Sequence, residues 1–183
     1  MPSKISTSFN MYEMNYIGGT LNSDSLFIPL EEKRYNQYIN IIDDCYYQMR
    51  AELNIKPYDK HSYSLEEFSK LKDNTFMMLN REEIICAVTC MGNWIENAVV
   101  NPKHQRQGYG RKLMEFAISH LQKRGESHIR LTVAKWNEKA IALYKSLGFE
   151  IVKEEVVHGV NTTESILKVT KVTGRLNSHT LKG

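Results

Sequence analysis

The stretch NPKHQRQGYGRKLM, Asn101–Met114, sets Gln105, Gly108 and Gly110 directly ahead of an apolar-periodic run. Two glycines in three positions strip side chains from a turn, which suits either a sharp bend or the close approach of another group to the backbone. A plain strand-to-helix turn answers the pattern as well as a binding loop does, because short glycine patterns recur by chance. The flanks supply more. If a strand ends at Val100 and a helix starts near Gly108, the first amides of that helix lack carbonyl partners and its dipole adds partial positive charge. A phosphate oxygen satisfies both, and Lys103, Arg106 and Arg111 are cations close by in the chain. The loop is not a Walker motif, since no Gly-Lys-Ser/Thr follows, and it lacks the three glycines of the dinucleotide fingerprint. Four residues before Val100 stands Glu96, an acid in a largely apolar strand. Burying it is costly unless it has a task or a partner, and a salt bridge to a neighbouring strand is the plain form of the latter. Strand alternation puts it on one face with Trp94 and Ala98.

These residues need a scaffold, and the hydrophobic periods outline one. Residues 1 to about 25 are polar and read as a loose arm with at most one short strand. SLFIPL, 25–30, follows as a strand closed by Pro29. Tyr35, Tyr38, Ile39, Ile42, Cys45, Tyr46, Met49 and Leu53 recur at helical spacing and predict a long amphipathic helix, with Glu31 and Glu32 suited to its first turn and Pro57 beyond its end. Ser64 and Glu67 stand at capping-box spacing before a short second helix carrying Leu65, Phe68 and Leu71. TFMMLN and IICAVTCM, separated by REE, predict a hairpin, and the Gly92-Asn93 turn leads to WIENAVV, a third antiparallel strand. After the loop, Leu113, Met114, Ala117, Ile118 and Leu121 mark one helix face, and Gly125 stops the helix. HIRLTV alternates as a strand, and NEKAIALYKSLGF is a short helix closed by Gly148 as its C-cap. FEIVKEE and ESILKVTKV are expected as two last strands with a turn around HGVNTT, before a polar tail. The predicted order is that of an α/β fold around a mixed sheet.

Two motifs carry a family resemblance. Gln105, Gly108 and Gly110 fit Arg/Gln-x-x-Gly-x-Gly/Ala, the acetyl-CoA loop of the GCN5-related N-acetyltransferase (GNAT) superfamily. Val100-Asn101-Pro102 resembles the strand end that precedes this loop. Asn137, Ala140, Tyr144, Gly148 and Phe149 resemble the superfamily's second signature, in the same order along the chain. The resemblance covers about residues 76–170 and implies a GNAT-like, mostly antiparallel central sheet flanked by helices. It divides the chain into an arm at 1–24, a single acyltransferase domain at 25–173 and a tail at 174–183.

The resemblance also implies direct transfer of an acetyl group from acetyl-CoA, as co-substrate, to a primary amine, with no metal. Gln105, Arg106, Gln107, Gly108, Tyr109, Gly110 and Arg111 would hold the pyrophosphate. Backbone groups of Ala98 and Val100 would pair with the pantetheine arm, and Asn137 would hydrogen-bond near it; helix capping is the plainer role for Asn137. Tyr144 would protonate the leaving sulfur, a fitting task for a phenol of pKa near 10, and Glu96 would draw off the amine proton. A core aromatic and a structural carboxylate are the plainer alternatives for these two. A CoA-binding sensor or scaffold is the rival from another class, and an acyl group longer than acetyl also fits both motifs. The acceptor, a small-molecule or peptide amine, is not named by any motif. Asp43, Asp44, Trp94 and the tyrosines of the first long helix are candidates to face it, with solvent or core positions as their plainer fate.

Bulk properties agree with these expectations. The 183 residues carry a net charge of +3, with 42% hydrophobic and 25% charged residues, which is ordinary for one globular domain and gives no support for nucleic-acid binding. Cys45, Cys86 and Cys90 form no disulfide framework, and Cys86 and Cys90, in an apolar run, are expected as core fillers. The six histidines lack metal-like spacing. The N-terminus has no apolar signal region and no run is long enough to span a membrane, so a cytoplasmic location is expected. Asn161-Thr162-Thr163 fits the glycosylation pattern, which such a location would leave unused. A homodimer stays open.

Overall fold

A computed structural model describes residues 7–52 and 65–159. Within these residues seven strands form one sheet: β1 Thr7–Tyr16, β2 Ile28–Pro29, β3 Thr75–Asn80, β4 Glu83–Met91, β5 Trp94–Val100, β6 Arg130–Ala134 and β7 Phe149–Gly159. Among the described residues four α-helices pack on it: α1 Tyr35–Glu52, α2 Leu65–Lys72, α3 Tyr109–Lys123 and α4 Glu138–Ser146. The strand order is β2-β3-β4-β5-β6-β1-β7, antiparallel throughout except where β5 meets β6. This is the mixed, mostly antiparallel sheet expected from the sequence.

Two apolar layers sandwich the sheet. On one face Tyr38, Ile39, Ile41 and Ile42 of α1 and Phe68 and Leu71 of α2 bury against Met77, Ile84, Ala87 and Val99. On the other, Leu113, Met114, Ala117, Ile118 and Leu121 of α3 bury against Ile85, Val88, Cys90 and Ile95. These are the periodic residues of the sequence, and burying such stripes is what holds short helices in place. Cys86 and Cys90 are fully buried; burial pushes both thiols up to about 12, which suits fillers and not nucleophiles.

The N-terminal arm requires a correction. Thr7–Tyr16 is a ten-residue strand inside the sheet, with β6 on one side and β7 on the other. Its polar residues misled the composition argument, because they alternate with Phe9 and Met11, and Met14 follows beyond a register shift at Glu13, all three buried. Two smaller differences follow the same logic. The strand expected over 25–30 is only Ile28–Pro29, ending as expected at Pro29, which stands opposite Phe76; and β7 runs through His158 and Gly159, where a turn was expected, because β1 pairs with it along that length. Ser64, Pro57, ESILKVTKV, Asn161 and the tail lie outside the described residues.

Gly148 closes α4 at φ +102, and a Cβ there would stand 3.1 Å from the Gly18 Cα. The turn into β7 and the loop after β1 therefore touch backbone to backbone at two glycines. Among the described residues, no helix is long and apolar enough to cross a membrane.

Candidate active site

β5 is bulged. Ala87 pairs with Val99, whereas Thr89 pairs with Glu96, so Asn97 and Ala98 together oppose Val88. Asn97 adopts φ +47, the left-handed conformation that Asn tolerates best among residues with a side chain. A bulge inverts the alternation downstream of it. Ile95, Ala98 and Val100 consequently pack with the α3 layer, while Val99 packs with the α1 layer. Glu96 therefore does not share a face with Ala98, as simple alternation had it. It lies on the α1 side, next to Thr89.

The bulge also ends the pairing of β5 with β6. The two parallel strands meet at Trp94 and Arg130 and at no later pair, so they splay and leave a cleft. The cleft is a cavity of about 470 Å³ walled by β5 from Ile95 to Val100, by β6 from Leu131 to Ala134, and by residues of α1, α4, β1 and the glycine loop. Among the described residues no strand pairs with the β5 edge along this opening, so its backbone groups can meet an extended ligand, apart from Val100 O, which accepts from Gln105 and Cys45.

At one end of the cleft sits the loop. Asn101, 8% exposed, anchors it: its Nδ2 donates to Ile84 O at 3.1 Å, and its Oδ1 accepts from Lys103 N at 3.1 Å. His104 Nε2 lies 3.0 Å from Glu83 Oε2, and Gln105 Nε2 donates to Val100 O at 3.1 Å. The His104 hydrogen bond is the main cause holding the Glu83 carboxyl below its usual range. Arg106 at φ +63 and Gly108 at φ +84 then turn the chain into α3. Gly108 is the N-cap residue and supplies no side-chain cap, and nothing lies within 4 Å of where its Cβ would be. α3 thus opens beside a residue that only glycine fills without strain, with open space where that residue's side chain would stand. Gly110 serves packing, since its Cβ position is 3.4 Å from Leu143 of α4.

Glu96 is 6% exposed and lines the cleft. It completes a buried polar row across three strands, in which Thr75 opposes Thr89 and Thr89 opposes Glu96. The two threonine hydroxyls are 2.8 Å apart, and Thr75 donates to Leu71 O at 2.8 Å. Tyr38, fully buried, lies beside this row, and burial pushes its phenol up to about 12. A polar row in an apolar layer is costly to bury; here it meets the one acid that faces the cleft from β5.

Tyr144 enters from α4. Its ring packs edge-on against Phe149 at 6.0 Å, and burial pushes its phenol up to about 12. Tyr46 of α1 lines the same cleft and is raised too, chiefly by burial, with the phenols of Tyr38 and Tyr144 near it. Asn137 caps α4, its Oδ1 accepting from Ala140 N at 3.2 Å, and also lines the cleft.

Of the residues singled out in the sequence, Glu96, Ala98, Val100, Gln105, Arg106, Tyr109, Gly110, Asn137 and Tyr144 line this one cavity. Gln107, Gly108 and Arg111 do not line it; they lie exposed on the loop and the first turn of α3. Lys103 and Arg111, offered as phosphate cations, also have protein partners: Lys103 lies 3.6 Å from Glu83, and Arg111 lies 3.7 Å from Glu115 and donates to Ser146 Oγ at 2.7 Å. Trp94 does not line the cleft; its ring carries the Arg130 guanidinium at 4.5 Å. Asp44 is exposed, and Asp43 is held by Arg50 at 3.0 Å. Phe9, Met11, Cys45, Arg50, Trp136 and Lys139 line the cleft without having been singled out for it. Cys45 Sγ donates to Val100 O at 3.4 Å, and burial pushes its thiol up to about 11.

Known proteins resemble this chain in sequence and in fold. A 53-residue stretch is 53% identical to the ribosomal protein bS18 alanine N-acetyltransferase of Escherichia coli, covering 29% of this chain and 36% of that enzyme. An uncharacterised N-acetyltransferase of Methanocaldococcus jannaschii is 30% identical over 131 residues, covering 59% of this chain and 57% of its own. The chain thus spans well under two thirds of these curated relatives. Among solved structures, a GNAT-family acetyltransferase from Colwellia psychrerythraea superposes with a TM-score of 0.61 at 12% identity, covering 85% of this chain and 57% of its own. A chain of the NatC complex bound to a Gag peptide and CoA superposes with a TM-score of 0.54 at 20% identity, covering 70% and 86%. Both show likeness of fold. The model of the acetyltransferase (GNAT) family matches residues 36–149, well over half of the sequence, and the chain belongs to that family.

Proposed function

We propose that the protein is an N-acetyltransferase that moves an acetyl group from acetyl-CoA directly to a primary amine. The observation that carries this reading is the cleft opened by the Asn97 bulge, which brings Glu96 and Tyr144 to one cavity and runs to the open N-terminus of α3. In this reading the pyrophosphate lies on the first amides of α3, with Arg106 beside it. The pantetheine arm takes the place that β6 leaves along the Ala98–Val100 edge, and an amide of that edge stabilises the oxyanion.

Starting from the ammonium form, the chemistry needs three proton transfers. Glu96, directly or through water, accepts the proton that the ammonium gives up before attack. The amine nitrogen forms its bond to the acetyl carbon, its second proton leaves the adduct to solvent, the carbon–sulfur bond breaks, and the electron pair goes to sulfur. Tyr144 donates its proton to the departing thiolate and recovers one from solvent. A phenol raised to about 12 stays protonated, ready to donate, through the whole physiological range.

The reading is tested by following free CoA thiol from acetyl-CoA in the presence of a panel of primary amines. Acetyl-CoA and amine together should release thiol well above either alone. If CoA binds and no amine is acylated, the cleft belongs to a binding module instead.

A further inference from the structure

The part of the cleft away from the loop is built by the strand that the sequence left in the arm. Phe9 and Met11 of β1, 7% and 5% exposed, line the cavity and pack with Ala134 and Val157 in a small apolar cluster. They are placed there by register, since Met11 stands opposite Ala134 of β6. Trp136, just beyond β6, also lines the cavity and stays 44% exposed.

The charges are as telling as the apolar surface. Among the described residues, Glu96 is the only carboxylate that lines the cavity, whereas Arg50, Arg106 and Lys139 are cations. Asp43, the partner of Arg50, is not part of the wall. One ammonium group can therefore be met by one acid. Within the described lining, a second ammonium on the same molecule would find neutral side chains or another cation but no second carboxylate, and burying an unmatched charge is heavily disfavoured.

Resting on the transfer reading above, we propose that the acceptor is a monoamine carrying an apolar group next to its amine-bearing carbon, read by Phe9, Met11 and Trp136. Free aralkylamines and the amino terminus of a peptide that begins with a hydrophobic residue share this chemistry. Diamines, polyamines and polycationic sugars do not.

The test compares kcat/KM for thiol release with phenethylamine, a Phe-initiated tripeptide, ethanolamine and 1,5-diaminopentane. Phenethylamine or the tripeptide should exceed both ethanolamine and the diamine about tenfold or more, the range that a pocket contact with an apolar group supplies. Whichever of the two is faster identifies the source, free amine or chain terminus, and either upholds the proposal. Phe9→Ala should cut the rate with the preferred apolar amine about tenfold while leaving ethanolamine within about twofold and the CoA-induced thermal shift unchanged. Trp136→Ala, at an exposed position that folding tolerates, should show the same selective loss and decides the matter if Phe9→Ala does not fold. A faster diamine, or equal losses for all amines in Trp136→Ala, would overturn the proposal and leave the transfer reading intact. No turnover of any amine, with CoA still bound, would overturn both.

Discussion

Tyr144→Phe is expected to lower kcat about a hundredfold while CoA binding stays nearly unchanged. The substitution deletes one hydroxyl and keeps the ring that packs on Phe149. General acid catalysis typically contributes on the order of a hundredfold or more, and the thiolate would otherwise have to leave unprotonated or wait for solvent. The pH profile adds a second check. Burial raises this phenol from 10.0 to about 12, so its neutral form persists up to roughly that pH. The wild-type rate should therefore show no fall from loss of this proton below about pH 11. Steady-state rates over pH 6–10, with CoA affinity measured separately, check both points. Equal turnover in Tyr144→Phe would return the residue to the core it partly fills.

Glu96→Gln is the second large effect. The amide keeps the length of the side chain and its hydrogen-bonding capacity in the polar row with Thr89 and Thr75, but it cannot accept a proton. An alkylamine is protonated at neutral pH, so its attack requires a path for that proton. Turnover at pH 7 should fall roughly a hundredfold and recover partly at high pH, where free amine is abundant. Acetyl-CoA binding should hardly move, because the bulge sets Glu96 on the α1 side, away from Ala98 and Val100. The measurement is a pH–rate profile of both proteins with one verified acceptor. Superimposable profiles would make Glu96 a structural carboxylate, with the amine deprotonated elsewhere.

Much of this site was legible in the sequence because it rests on local chemistry. Gly108 needs its positive φ wherever the chain goes next, and the spacing of Asn137, Tyr144 and Gly148 fixes a cap, a face and a stop on one short helix. What escaped depends on pairings between distant segments. β1 is a strand only because β6 and β7 flank it, and its alternation of polar and apolar residues is diluted in a polar arm. The family match, which begins at residue 36, also leaves β1 out, so the wall formed by Phe9 and Met11 had no motif to announce it. The bulge at Asn97 is equally silent in sequence. Asn is a tolerant residue for positive φ, but nothing local demands it there, and one inserted residue was enough to reverse the expected face of Glu96. Asp43 had solvent as its plainer fate, yet it pairs with Arg50 at 3.0 Å with both side chains largely covered.

The claim beneath all of these expectations is that the loop and the cleft receive CoA, and thermal unfolding with and without CoA tests it most directly. A ligand at 100 times its Kd stabilises the folded state by about 2.7 kcal/mol, which in a protein of this size raises Tm by roughly 5–10 °C. Wild-type protein should show such a shift at millimolar CoA. Gly108→Glu should abolish it, by setting a negative side chain in the open space before the α3 amides. Gly108→Ala, which carries the same backbone strain without the charge, should keep a substantial part of it. An unchanged Tm for the wild type at millimolar CoA, or an equal shift in Gly108→Glu, would contradict the account.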